Sequence, residues 1–257
     1  MKRGIYKMDD NTLLKFALDA GEIMLSSGGE THRVQDTMHR ILSVSHSTGV
    51  EALAMSTFLI VSIPSKKSGS LTLTRGVYNR SVNFGKICFV NEISRAFVSG
   101  QISLPDAAKR LDEISHASAY HPISRIIGSG VACGGFTMVL NGSWIDGMAA
   151  FLFGILIGIL LNYSQKTKLP TFFSCLLGGF IAGAGSVIFH RLVPSSASNM
   201  IIIGSIMPLL PGMTITNSIR DIMEGHYISG TSKMAEALLI AFAIAGGVGF
   251  GITVLGS

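Results

Sequence analysis

MPLLPG, residues 207–212, follows directly on an apolar run at residues 200–206. Each proline lacks a backbone N–H, and its ring clashes with the carbonyl four residues earlier, so Pro208 and Pro211 each interrupt a helix at a cost of about 3 kcal/mol or more. A bilayer core offers no water to the freed carbonyls, so such a break is tolerated only inside protein or beside a wet cavity. The stretch therefore predicts a broken membrane helix. It is a plain kink, a helix end at the interface, or a backbone opening of the kind that forms transporter substrate sites.

A polar segment, TNSIRD at residues 216–221, follows the break. Its hydroxyl and amide groups suit a small polar substrate, and the neighbouring charges of Arg220 and Asp221 suit either a carboxylate contact or a cytosolic gate. The alternative is that the segment anchors the span at the membrane interface. The candidate substrate-binding residues are Pro208, Pro211, Gly212, Thr216, Asn217, Arg220 and Asp221.

The composition is that of an integral membrane protein, because 48% of the 257 residues are hydrophobic, 14% are charged and the mean hydropathy is +0.50. Charge is concentrated in the first half: residues 1–122 hold 14 of the 20 Lys and Arg and 11 of the 15 Asp and Glu. We therefore expect an α-helical polytopic membrane protein with a small cytosolic α+β domain at residues 1–120 and a transmembrane domain at residues 121–257.

Five apolar stretches in the second half are each long enough to cross a bilayer, given roughly 20 residues per crossing. They lie near residues 123–141, 144–163, 171–191, 199–218 and 233–255. The fourth is the one that the prolines break within 207–212. The positive-inside rule places Lys166, Lys168, Arg220 and Lys233 on the cytoplasmic side, against Arg191 outside. An odd number of crossings then puts the C-terminus outside.

The first half alternates between helical and strand-like patterns. Apolar periodicity and capping signals predict helices at residues 11–26, 30–47, 84–99 and 104–117. Residues 52–63 and 71–74 are typical of a β-hairpin or longer two-strand unit, joined by turn residues at 64–69. Acidic residues such as Asp9 and Asp10 stand where a signal peptide needs an apolar core, so we expect no cleaved signal.

Small residues recur four apart in the apolar stretches, which favours close helix packing in a membrane. The pairs are Gly130 and Gly134, Gly154 and Gly158, Gly179 and Gly183, and Gly247 and Gly251. The glycines from Gly128 to Gly135 imitate a dinucleotide-binding loop, but they continue into an apolar span and follow no strand. Helix packing is therefore the better interpretation.

Several function classes lack their sequence signals. The motifs GxxxxGK[ST], HExxH and GxSxG are absent from the chain, which argues against ATP-driven pumping and against common hydrolases. Cys88, Cys133 and Cys175 stand singly and indicate neither a disulfide framework nor a zinc site. The net charge of +5 fits a cytoplasmic face beside anionic lipid, and no nucleic-acid recognition motif is present. We expect no enzymatic activity, cofactor, bound metal or nucleic-acid partner.

ETHRVQDTMHR, residues 30–40, is a dense polar segment of the first half. On a helix, one stripe consists of Glu30, Arg33, Thr37 and Arg40, and another of His32, Asp36 and His39. The first stripe is a gate or anion contact beneath the pore, or ordinary charge pairing along the helix. The second could hold a metal, although a solvated charged face is the simpler interpretation.

Two acidic residues, Asp146 and Glu236, lie near membrane depth. Ionisable groups there are costly and often mark proton or substrate paths. Both stand close to predicted span starts, so a position at the interface is an equal alternative.

Three separated segments carry a family resemblance: GETxRVxDTMxR at residues 29–40, the segment from Asn91 to Arg95, and PxxPGxxxTNxxRD at residues 208–221. On these segments the chain resembles the threonine/serine exporter (ThrE-like) family, in its split two-subunit, YjjP-like form. The resemblance covers nearly the whole chain from about residue 12. It implies a cytosolic N-terminal domain, about five spans, export of small amino acids or dicarboxylates such as succinate, and a second membrane subunit that supplies the other half of the transporter.

The leading hypothesis is therefore a subunit of a bacterial inner-membrane secondary transporter that exports a small carboxylate metabolite, driven by an ion gradient. Its substrate is a hydroxy-amino acid or a dicarboxylate. A gating cluster is expected from Glu30, Thr31, Arg33, Asp36, Thr37, Arg40, Asn91 and Arg95. A second hypothesis is a membrane-anchored hydrolase with its site around Glu30, His32 and Asp36. A third is a regulatory or scaffold subunit without transport.

Overall fold

The computed structural model of the chain describes residues 9–45, 47–65, 69–78, 81–117 and 121–256. The chain divides into two compact units, and each unit is built from two separate pieces of sequence. The first unit comprises Met1–Ala119 and Met213–Met234, and the second comprises Tyr120–Gly212 and Ala235–Ser257.

The first unit is an α+β structure whose core is built on its first helix. Its helices are α1 (Asp10–Ser26), α2 (Thr31–Leu42), α3 (Phe84–Val98) and α4 (Leu104–His116). Most of α1 is buried, and Phe16 meets Phe97 of α3 edge to face at 5.1 Å between ring centroids. Ser103 caps α4 by accepting a hydrogen bond from the Asp106 N–H at 3.3 Å, with Pro105 in the first turn.

The sheet of this unit has three antiparallel strands in the order β1-β2-β3. They are β1 (Glu51–Ala54), β2 (Phe58–Ser65) and β3 (Gly69–Gly76). Leu59, Val61 and Ile63 alternate along β2 and are fully buried, which is the period of a strand with one face on a core. Residues 66–68 of the predicted turn lie outside the described residues.

Two predictions for this unit were wrong in detail. The apolar run at residues 52–63 is two strands, because the Met55 N–H bonds to the Phe58 carbonyl at 2.9 Å and turns the chain back. The second helix ends at Leu42 and not near residue 47. A short 3₁₀ turn follows at Ser43–Ser45, where the Ser43 hydroxyl bonds to the Arg40 carbonyl at 2.7 Å. Serine side chains of this kind compete with the helical backbone bonds.

The second unit is helical and apolar, and its helices stand at the positions predicted for spans. They are α5 (Pro122–Val139), α6 (Trp144–Thr167), α7 (Thr171–Leu192), α8 (Ser198–Ile206) and the main part of α10 (Tyr227–Gly256). Large apolar side chains such as Leu152, Leu156 and Phe242 are exposed on their outer faces. A lipid environment accounts for such faces better than water does.

Among the described residues, α6, α7 and α10 are long and apolar enough to cross a membrane. A fourth crossing is counted if Ser198–Leu209 and Gly212–Met223, which bend at the break between them, form one span. Helix α5 is not among these, and its Arg125 and its several glycines and serines lower its hydropathy. The structure thus has a helical membrane region with three or four crossings by this measure.

The chain is interrupted at the MPLLPG stretch. Helix α8 ends at Ile206, a 3₁₀ turn covers Met207–Leu209, and α9 (Gly212–Met223) starts after Pro211. The Gly204 carbonyl accepts from the Met207 N–H, and the Met207 carbonyl accepts from the Leu210 N–H at 3.3 Å. Bonds between residues three apart thus take up both carbonyls that the prolines deprive of their α-helical donors.

Helices α7 and α10 touch along their backbones through glycine. A Cβ added at Gly179 would lie 2.5 Å from the Ile244 carbonyl oxygen, and one at Gly183 would lie 2.5 Å from that of Val248. A Cβ at Gly247 would overlap the Leu176 carbonyl oxygen. These contacts are the close approach for which small residues are used in membranes.

Replacing Gly247 by Ala should lower the thermal unfolding midpoint of the purified protein in detergent, because the new methyl group forces α7 and α10 apart. Gly249→Ala is the matched control on the same helix, since a Cβ there meets nothing within 4 Å. Alanine is also the better helix former, so this control should be neutral or stabilising. Equal midpoints for the two variants would contradict the packing assigned to Gly247.

Candidate functional site

The turn between α1 and α2 brings polar backbone groups to one place. Gly28 has φ +87°, and a Cβ added at Gly29 would lie 2.8 Å from the Met24 carbonyl oxygen. Both positions therefore require glycine, the first for its conformation and the second for space. Glu30 caps α2 and Thr31 is its first residue, so the segment from Gly28 to Thr31, here called the glycine loop, ends at a helix N-terminus.

A buried carboxylate lies against the glycine loop. Asp221 of α9 has 0% exposure, and its Oδ1 accepts the Thr31 backbone N–H at 3.2 Å. Its Oδ2 accepts the Thr31 hydroxyl at 2.8 Å. Residues 190 positions apart are thus joined by two hydrogen bonds, one to each carboxylate oxygen. The carboxylate also lies at the positive end of the α2 dipole.

Lys233 of α10 completes this cluster. Its ammonium donates to Asp221 Oδ2 at 2.7 Å and to the Thr31 hydroxyl oxygen at 3.1 Å, and its side chain is 8% exposed. A buried charge is tolerated only when it is paired and hydrogen-bonded, and each of these two charges satisfies that condition through the other. Thr31, Asp221 and Lys233 are called the buried cluster below.

The turn between α9 and α10 holds Asp221 and Lys233 in register. Gly225 has φ +86°, and the His226 N–H bonds to the Asp221 carbonyl at 2.8 Å, which closes the end of α9. The Ser218 hydroxyl then donates to the Gly230 carbonyl at 2.7 Å across the two helices. Asn217 reaches the glycine loop as well, because its amide donates to the Gly28 carbonyl at 2.9 Å.

A second layer of charged pairs lies at the edge of the buried cluster. Arg220 pairs with Glu30, and its side chain is 50% exposed. His32 pairs with Glu224 and lies 3.6 Å from a carboxylate oxygen of Glu30. Exposed pairs of this kind contribute little to stability. These pairs are separate from the hydrogen bonds that hold Thr31, Asp221 and Lys233 together.

The structure brings together two of the predicted motifs but not all of their residues. Glu30 pairs with Arg220, Thr31 bonds to Asp221, and Asn217 bonds to Gly28 just before the first motif. The other members of the predicted gating cluster do not join them through any contact seen in the described residues. Arg33, Asp36 and Arg40 are exposed on α2, Thr37 donates to the Arg33 carbonyl of its own helix, and Asn91 and Arg95 lie on α3, half-buried and exposed respectively.

The residues of the predicted metal stripe and hydrolase site lie on α2 and at its N-terminus. His32 is paired with Glu224 and Glu30, whereas Asp36 and His39 are exposed elsewhere on α2. Within the part of the chain that the structure describes, no three His, Cys, Asp or Glu side chains are grouped to hold a metal. His32 thus has two acidic neighbours, Glu30 and Glu224, while Asp36 is exposed on the same helix.

Asp146 has a structural function at the start of α6. It forms a capping box with Ser143, whose N–H and hydroxyl both donate to Oδ2, at 2.9 and 2.7 Å. Its Oδ1 accepts the Ala197 N–H at 2.9 Å, just before α8. Both carboxylate oxygens therefore accept hydrogen bonds, and the side chain joins the start of α6 to the residue before α8. Glu236, the other acidic candidate, is exposed on α10.

The remaining predicted substrate residues belong to the break and to the start of α9. Pro208 lies in the 3₁₀ turn, Pro211 separates it from α9, and Gly212 begins that helix. Gly212 and Thr216 are exposed, and both have interactions within the structure. Within the break, the Gly204 and Met207 carbonyls accept hydrogen bonds from the N–H groups three residues later.

A polar cavity of about 370 Å³ lies elsewhere in the first unit, between α1, α3 and α4. Asp19, Glu22, Lys86 and Asp112 contribute its charged lining. Arg75 donates to Asp19 and Glu22 at 2.9 and 2.5 Å. Partial burial lowers the pKa of Arg75, but the hydrogen bonds and negative charges of Glu22 and Asp19 outweigh it and raise this pKa above its usual value. The predicted site residues do not contribute to this lining.

Sequence patterns did not single out Lys233 as a site residue. It stood out only as a basic residue near a span end, where the positive-inside rule explains it. The available signal was its spacing from Asp221, since two opposite charges that flank a glycine turn between helices can meet. The buried cluster can present an ammonium, a hydroxyl and a helix N-terminus to an anionic group, which is the chemistry that recognises a carboxylate.

The apolar helices and the polar cluster define the class of protein, a multi-span membrane protein with an α+β unit at its N-terminal end. A family model described as "Putative threonine/serine exporter" (ThrE) matches residues 15–255. The chain therefore belongs to the threonine/serine exporter family, and the resemblance noted from its motifs is confirmed.

Three curated relatives are named as transport proteins. A protein of Corynebacterium glutamicum named "Threonine/serine exporter" is 27% identical over 93% of this chain and 50% of its own length. A protein of Mycobacterium tuberculosis named "Probable threonine/serine exporter" is 25% identical over 95% of this chain and 46% of its own. A Klebsiella aerogenes protein named "Probable succinate transporter subunit YjjP" is 24% identical over 97% of this chain and 96% of its own. The chain thus spans about half the length of the first two relatives. No solved structure matches it.

Thr31→Val should lower the free energy of unfolding by about 1.5–3 kcal/mol, because it removes hydroxyl contacts to two charged groups. Thr37→Val is the matched control, since the Thr37 hydroxyl donates only to a carbonyl of its own helix. SDS-induced unfolding in mixed micelles measures both variants. An equal loss in the two would show that the Thr31 hydroxyl contributes no more than an ordinary helical threonine.

Proposed function

We propose that this chain is one subunit of a bacterial inner-membrane secondary transporter that exports small carboxylate metabolites and is driven by an ion gradient. The candidate substrates are threonine, serine and C4-dicarboxylates such as succinate. Membership of the exporter family supports export. The relatives' names differ in substrate, and each name describes only the protein that carries it.

The observation that carries the proposal is the contact between the glycine loop and α9. The family-like motifs at residues 29–40 and 208–221 are far apart in sequence. Asp221 and Arg220 of the second contact Thr31 and Glu30 of the first, and Asn217 contacts Gly28 just before it. In a membrane transporter, polar groups that converge in this way commonly form a transport site or its gate. Thr216, Asn217, Arg220 and Asp221 remain the proposed substrate or gating residues.

A second membrane subunit is part of the proposal. The chain matches about half of two exporters that are roughly twice its length, and it matches nearly the whole of a relative that is named a subunit. A partner that supplies the remaining membrane half accounts for both facts. In this assembly the chain contributes up to five crossings, counting α5 and the broken helix.

The proposed orientation has the first unit in the cytosol and the C-terminus outside. Lys166, Lys168, Arg220 and Lys233 support this arrangement through the positive-inside rule. In the structure, Arg220 and Lys233 belong to the same compact unit as the N-terminal α+β fold. These two basic residues therefore share the side that this fold occupies.

Inverted membrane vesicles from cells that express the chain with its partner should accumulate radiolabelled serine, threonine or succinate when an ion gradient is imposed. Vesicles that contain either chain alone should not. Absence of flux for all three substrates in the paired vesicles would refute the transport proposal.

Asn217→Ala should abolish this flux while leaving membrane insertion intact, because the variant loses the amide that joins α9 to the glycine loop. Asn11→Ala is the matched control, since Asn11 is an exposed amide in the first turn of α1. Unchanged flux in Asn217→Ala would remove that residue from the transport machinery.

A further inference from the structure

The proposed site holds two cations, and their surroundings differ. Arg220 is half exposed and pairs with Glu30, so water partly screens its charge. Lys233 is buried, and its ammonium faces Asp221 and the Thr31 hydroxyl. A cation removed from water binds an anion more strongly than an exposed one, because the low local dielectric strengthens the contact.

The donors around Asp221 form a complete carboxylate receptor. The Thr31 N–H meets Oδ1, the Thr31 hydroxyl meets Oδ2, and the Lys233 ammonium meets Oδ2. Two of the three donors come from the first residue of a 12-residue helix, whose N-terminus favours negative charge. The receptor is not inferred from an empty space, since the structure shows it holding a carboxylate that the chain itself provides.

A buried ion pair is weak evidence for a purely stabilising role, because such pairs can often be replaced by apolar side chains without loss. Exchange of one carboxylate for another keeps the receptor's donors satisfied, provided that Asp221 moves out to water as the new carboxylate enters. Before and after the exchange, the Lys233 ammonium and the Thr31 donors bind a carboxylate. The Asp221 carboxylate is replaced by that of another molecule.

We infer that Lys233, with the Thr31 N–H and hydroxyl, binds the carboxylate of the transported molecule, and that Asp221 is an internal stand-in that this carboxylate displaces. The inference rests on the proposed export function. It assigns the substrate-binding cation to Lys233 and not to Arg220. It also makes Asp221 a competitor of the substrate and not one of its ligands for the carboxylate.

The two partners of one ion pair then have opposite effects on binding. Substrate affinity is reduced by the fraction of time that Asp221 occupies the receptor, so removing that carboxylate should increase affinity. Removing the Lys233 ammonium should abolish the main charge-assisted contact. If the pair served only for stability, removing either partner would weaken substrate binding.

The test is equilibrium binding of radiolabelled succinate to the full chain, assembled with its partner, in vesicles at low salt. Succinate carries carboxylates and no ammonium, so it probes this receptor alone. We expect Asp221→Asn to bind succinate about tenfold or more tightly than wild type, and Lys233→Met to bind it about tenfold or more weakly. Lys233→Arg should retain part of the binding. Asp112→Asn, which alters an exposed carboxylate on α4, is the control and should match wild type.

Three results would overturn the inference: wild-type affinity in Lys233→Met, similar weakening in both variants, or no gain of succinate binding in Asp221→Asn. Thermal unfolding of each assembled variant checks that it is folded. If Lys233→Met does not assemble, the Asp221→Asn result decides alone. Flux does not enter this readout, so a failure of transport would contradict the proposed function while the binding result still decides the inference.

Discussion

The buried carboxylate of Asp221 is the constraint on which the surrounding structure depends. An unpaired charge in that position would be prohibitively costly, so every donor around it has a defined position. Thr31 must begin a helix, which requires the two glycines before it. Lys233 must return from the next helix, which requires the glycine turn at Gly225. One carboxylate thus accounts for the backbone of two loops that are nearly two hundred residues apart in the sequence.

The broken helix has a different significance from the one its prolines suggest. Two prolines in an apolar run deprive two carbonyls of their helical donors, and short-range bonds to Met207 and Leu210 take up both. The break therefore ends one apolar helix and starts a polar one, and these two carbonyls keep hydrogen-bond donors. The break also determines where α9 lies, because the helix that starts after it belongs to the first unit and carries Asn217, Arg220 and Asp221.

Much of the fold could be predicted from sequence, because apolar periodicity, capping residues and proline act locally. Helices such as α3 and α4 are examples, and Ser103 is the N-cap of α4. The number of strands was harder to predict. The turn at residues 55–57 contains no glycine or proline, so the sequence does not mark the end of the first strand. For the site, two motifs were recognised, but Asp36 and Arg40 could not be separated from Thr31, because all three share one short polar helix. Lys233 was missed because its partner is set by tertiary packing, which no local pattern encodes.

The discontinuous first unit also has a consequence for the order in which the chain is made. Residues 213–234 belong to the same compact unit as the N-terminal fold, and Thr31 bonds to a residue 190 positions later. A chain that emerges from the ribosome N-terminus first has its α+β core early, yet the glycine loop has no carboxylate to hold until α9 appears. The intervening apolar helices are synthesised before that happens. The buried cluster therefore forms late in biogenesis, after the apolar helices α5 to α8 have been synthesised.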